Sequence, residues 1–199
     1  MLKQSNYRKL ISQMKGLFCL SVQDLCWRIF VSLIPPVCNK YKKVFSDLLG
    51  PGISIISLTL LLNYGNLKRE NVIFLSPMET VSLYVLLMPV VTYCLNKLGR
   101  STLTFLQIFS LIGYGLYGHI LTLLVSLLYH LEDSNTFFFI CLIAFAGVST
   151  FRVVLLQFEY MPLPGARLVV CSSFSTLHIL FLVFIHFVYM HPKFSYNHK

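Results

Sequence analysis

Acidic side chains are scarce in this 199-residue chain. Seven Asp and Glu stand against sixteen Lys and Arg, and charged residues of both signs make up only 12%. Soluble domains carry roughly 25%. With a mean hydropathy of +0.74, too little polar surface remains to wrap a water-soluble core, so lipid is the solvent this composition fits. Also absent are the patterns that carry catalysis or metal binding. No Ser/His/Asp set, HExxH, carboxylate pair or phosphate-cradling glycine loop occurs, so no enzyme and no cofactor is expected. The six cysteines lack CxxC spacing. His178 and His186 are eight residues apart on one expected helix, about 12 Å in rise and too far to share an ion. The net charge of +9 reports on membrane topology here rather than on nucleic acid, which is not an expected partner. Residues 1–15 are polar and basic, and the next apolar run is broken by Gln23, Asp24 and Arg28, which is not the pattern of a cleavable signal.

The long apolar runs dominate what is present. Residues 1–46 form a basic arm with eight cations and the single acid Asp24. Leu10, Met14, Leu17, Leu25 and Ile29 recur at helical steps with Phe18, Trp27 and Phe30 nearby, the pattern either of an amphipathic interfacial helix on anionic lipid or of a solvated arm that packs on the membrane domain. Pro35-Pro36 ends it, because proline donates no backbone N–H. Cys19, Cys26 and Cys38 in this arm are candidates for palmitoylation. Asp47-Leu48-Leu49-Gly50-Pro51 then leads into the first of five apolar spans, placed at 48–65, 77–95, 104–129, 136–157 and 168–190. The expectation is an all-α integral membrane bundle: a cytosolic arm (1–46), a five-span domain (47–190) and a short lumenal tail (191–199). Twelve cations fall on the amino-terminal side and four on the other, so the bias in Lys and Arg puts the amino terminus in the cytosol and the carboxyl terminus in a lumen.

The third span carries Gly113, Gly115 and Gly118 among Tyr114, Tyr117 and His119; the fourth carries Gly147 beside Ala144, Ala146, Ser149 and Thr150. Small residues in membrane helices allow close backbone approach, so these glycines are expected at helix seams or at a partner's helix. A cation in a span needs a partner or a path to the interface. For Arg152 two readings stand: snorkelling to the lipid headgroups, or a pair with Asp47, which enters at the face toward which Arg152 points and would pin the first span to the fourth.

Several of these pieces coincide with one family. DLLGP followed by a span ending in YGN, LIGYGLYGHIL, GVSTFR and the segment from Leu168 to Tyr189 together resemble the Yip-domain family, Ypt/Rab-interacting membrane proteins, nearest the branch called member three. The likeness covers roughly residues 26–190. Asp47, Gly50, Pro51, Tyr114, Tyr117, His119 and Arg152 are the residues that fall in its motifs. A long acidic cytosolic arm and a long lumenal tail, features of that branch, are not seen here. The resemblance implies a non-enzymatic multi-pass protein of the cis-Golgi and ER–Golgi intermediate compartment. It would act in vesicle-mediated transport and Golgi organisation, in contact with membrane lipids, a second Yip-domain protein of the member-four type and Rab-family GTPases. The alternative is a small transporter or lipid-handling protein using Tyr114, Tyr117 and His119.

Overall fold

The computed structural model describes residues 18, 20–38, 41–67, 75–128 and 135–191. The expected stretch from Leu10 to Leu17, Cys19 and the tail after His191 lie outside the described residues. Within them the chain is helical, without strands: α1 (Val22–Ser32), α2 (Leu49–Leu67), α3 (Pro77–Leu98), α4 (Phe105–Leu128), α5 (Thr136–Glu159) and α6 (Pro164–Met190).

Local chemistry sets most of the boundaries. Ser21 accepts from Asp24 N and caps α1. α1 stops at Ser32, ahead of Pro35-Pro36. Ser76 and Glu79 form a reciprocal capping box on α3, with Pro77 in its first turn. Thr104 and Gln107 do the same for α4: Gln107 Oε1 accepts from Thr104 N at 2.9 Å, and Thr104 Oγ1 from Gln107 N at 3.3 Å. Pro164 opens α6, four residues before the expected start, since proline at the first helical position loses no hydrogen bond. α5 contains a π-helical segment, Leu142–Gly147, and α6 ends in another, His186–Met190. In α5 the buried positions Phe138, Cys141, Leu142 and Ala146 run through this segment.

Four helices, α3 to α6, are long and apolar enough to cross a membrane. α2 has 19 residues, but Asn63, Asn66, Pro51 and three glycines dilute it. It packs as part of the same bundle, against α3, α4 and the end of α6. α4 is the centre: it touches every other helix, and 61% of its apolar stretch is buried against 28% for α3. Outward faces are leucine- and isoleucine-rich, as at Ile56, Leu60, Leu86 and Ile143.

The bundle has two distinct ends. At one, Thr102 N donates to Tyr160 O, Met161 sits where a side chain on Gly99 would go, and Lys42 pairs with Glu159 at 3.1 Å. At the other, the Tyr189 hydroxyl bonds Thr80 at 2.5 Å and Leu75 O at 3.0 Å. Arg28, Lys42, Lys43, Lys97, Arg100 and Arg167 all belong to the first end.

Candidate functional site

The family-like pieces meet where α2 begins. Asp47 is 1% exposed. Its Oδ1 accepts from Gly50 N at 3.1 Å, capping the first turn of α2. Its Oδ2 lies 2.5 Å from Arg28 Nη1 on α1, and the Tyr114 hydroxyl of α4 stands 3.1 Å from both oxygens. The Arg28 guanidinium in turn covers the Phe45 ring at 4.7 Å. A buried carboxylate is costly unless its lone pairs are taken up. Here a cation, a backbone N–H and a phenol take them up together.

The glycines around this carboxylate let the helices close. A side chain on Gly50 would run into the Tyr114 hydroxyl, and one on Gly113 into Pro51. Tyr117 donates to Gly50 O at 2.9 Å, and the Ser54 hydroxyl lies 2.8 Å from both Pro51 O and Gly113 O. DLLGP and the tyrosine–glycine stretch of α4 are therefore two halves of one joint.

Further along α4, Gly118 faces α5. A Cβ there would lie 2.6 Å from Ser149 Cβ and 2.9 Å from Phe145 O. Gly115 faces His178 of α6, with its Cβ position 3.1 Å from Nε2. Gly113, Gly115 and Gly118 are thus buried between helices of one chain. Gly147 differs: its nearest neighbour is Leu142 O of its own helix at 3.4 Å, so it marks the π segment rather than a seam between helices.

Arg152 corrects the expected pairing. It is 3% exposed, and its Nη1 donates to Ile34 O at 3.3 Å, while Asp47 belongs to Arg28. Ser149, one turn earlier, bonds Gly115 O at 3.1 Å and reaches Ser32 O at 3.4 Å. Ile34 O, just beyond the end of α1, takes up a guanidinium N–H that would otherwise be buried without a partner. Both charged motif residues therefore grip α1, Asp47 through Arg28 and Arg152 through the exit from the helix. Arg28, read from sequence as a lipid-facing cation, is the missing counter-ion.

His119 is fully buried. Its Nε2 donates to His178 O at 2.9 Å, and the two imidazole rings lie 4.2 Å apart. His178 Nδ1 bonds the Tyr84 hydroxyl, and Tyr84 stacks on Phe181 at 3.8 Å. Sequence spacing along one helix did not reveal this pair, because its members sit on α4 and α6. Tyr114, Tyr117 and His119 are all turned to internal partners, so none is aimed at an open space.

The model of the YIPF3 C-terminal domain matches residues 22–190. The chain belongs to that family. The matched region opens at the first residue of α1 and closes at the last of α6, so it takes in α1. No solved structure matches the chain. As a Yip-family protein with four strongly apolar helices, it is a multi-pass membrane protein in contact with lipid.

Proposed function

We propose that this protein is a non-enzymatic scaffold of the early secretory pathway. It acts in vesicle-mediated transport and Golgi organisation with a second Yip-domain protein of the member-four type and with Rab-family GTPases. The observation that carries this reading is the family match over residues 22–190. In this reading α2 completes five spans, the end that gathers Lys42, Lys43, Lys97, Arg100 and Arg167 faces the cytosol, and the carboxyl terminus is lumenal. α1 lies at the cytosolic leaflet. Its bundle side is held by Arg28, Ser32 and Ile34, and exposed Val22, Trp27 and Phe30 meet the lipid interface.

The packing around His119 supports the scaffold over the transport reading. A transport route needs a wet path to the imidazole, and Gly115 and Gly118 instead let α5 and α6 close against α4. With those seams used inside the chain, a partner's helix would meet the outward faces.

Proximity labelling from the amino terminus in living cells tests the proposal. Rab-type GTPases, a second Yip-domain protein and early Golgi membrane proteins are expected among the labelled set. Enrichment of plasma-membrane or mitochondrial proteins in their place would sink it.

A further inference from the structure

An apolar groove of about 360 Å³ runs between α3 and α6 on the outer surface of the bundle. Leu83, Leu87 and Val91 form one wall, and Leu177 and Phe184 the other; each is about half exposed. Tyr84 and Phe181, stacked on one another, make the floor. The lining contains two hydroxyls, and both are turned to protein: Tyr84 to His178 and Thr80 to Tyr189. The groove therefore presents no unoccupied hydroxyl to an occupant, which must be hydrocarbon.

Its dimensions select among hydrocarbons. From Thr80 to Val91 is eleven residues, about 16 Å at 1.5 Å per residue, close to the roughly 15 Å half-thickness of a bilayer core. At about 360 Å³ the groove holds far less than the roughly 1,250 Å³ that a helix about 10 Å across fills over the same length. It suits an extended chain rather than a seated helix. It begins three residues inside α3, at the end of the bundle away from α1, and ends about 5 Å past the middle of that helix, so most of its length lies in one half of the bundle. Glu79 stands beside the mouth, where its carboxylate disfavours an anionic headgroup.

We infer that the α3–α6 groove is a binding site for one acyl chain of a zwitterionic phospholipid from a single leaflet. The inference rests on the membrane embedding above, and the leaflet is the lumenal one in the proposed orientation. It does not depend on the trafficking role.

The test uses the full chain in phosphatidylcholine nanodiscs doped with phosphatidylcholine bearing a diazirine on its acyl chain. After irradiation, adducts are mapped by mass spectrometry. Leu83, Leu87, Val91, Leu177 and Phe184 should be labelled several-fold more than Ile56, Leu60 and Ile143, which are at least as exposed but lie outside the groove. Leu87→Trp, which fills the groove, should abolish that excess and leave Ile143 labelling unchanged. If that variant does not fold, Val91→Phe serves. Uniform labelling of all eight positions overturns the site and leaves only annular lipid. Protection of the groove positions by a co-purified helix overturns it in favour of a protein occupant. Equal labelling by a phosphatidylserine probe overturns the headgroup assignment. Labelling at none of the eight positions would instead refute the membrane reading itself.

Discussion

At the scale of single residues, the Asp47 carboxylate is the most constrained group in the molecule. It is buried, and Arg28, Tyr114 and the Gly50 N–H all depend on it. Breaking a buried pair by deleting one partner costs about 3–5 kcal/mol, because the other charge is left uncompensated. Asp47→Ala and Arg28→Ala should therefore each lower the unfolding midpoint in detergent sharply, and the double variant should lose clearly less than the sum. Asp47→Ala combined with Arg152→Ala should be close to additive, since Arg152 holds Ile34 O and shares no ion pair with Asp47. Coupling between Asp47 and Arg152, with additivity between Asp47 and Arg28, would reverse the assignment. The geometry also shows why the partner was not legible in the sequence. Nineteen residues and the Pro35-Pro36 bend separate Arg28 from Asp47, and only the folding back of α1 brings them to 2.5 Å.

At the scale of elements, the glycines of α2 and α4 are not equivalent. Gly113 is in contact with Pro51, whereas Gly52 has nothing within 4 Å of its Cβ position. Gly113→Ala forces α2 and α4 apart and should cost about 1–3 kcal/mol, as overpacking in a dense interior does. Gly52→Ala should be neutral or stabilise by roughly 0.5 kcal/mol, since alanine loses less backbone entropy in a helix. Unfolding midpoints of the two variants settle the point, and equal losses would mean that α2 does not seat on α4 as described. The sequence shows both residues as glycine beside an isoleucine. Which one touches a neighbour depends on helix rotation, which the apolar pattern leaves open because α2 is hydrophobic on nearly all sides.

At the scale of the whole molecule, a membrane crossing by α2 decides on which side each connection lies. Five crossings put the arm and residues 68–74 on opposite sides, whereas four put them on the same side. A membrane-impermeant maleimide can decide this on a cysteine-free background carrying one cysteine at Lys43, Arg100, Asn71 or Asn135. After selective permeabilisation of the plasma membrane, Lys43→Cys and Arg100→Cys should react. Asn71→Cys and Asn135→Cys should react only once internal membranes are opened. Early reaction at Asn71→Cys would remove α2 from the set of spans and leave four.

Composition and hydrophobic run length alone determined the class of this protein. So few charges and such long apolar stretches leave lipid as the solvent, and helices are the structures that satisfy their own backbone hydrogen bonds there. The positions of α3, α4 and α5 follow from those runs to within a few residues, with caps such as Ser76-x-x-Glu79 sharpening the boundaries. The motif residues were visible as well, as chemically unusual members of apolar helices. Their partners were not. Asp47 with Arg28, Arg152 with Ile34 O and His119 with His178 join elements far apart in sequence, and a bilayer does not dictate which faces meet, since lipid solvates each apolar helix surface almost equally well. Only close packing around Gly113, Gly115 and Gly118 distinguishes one arrangement from the others, so the pairing of charges and the closing of the seams were decided by the tertiary structure.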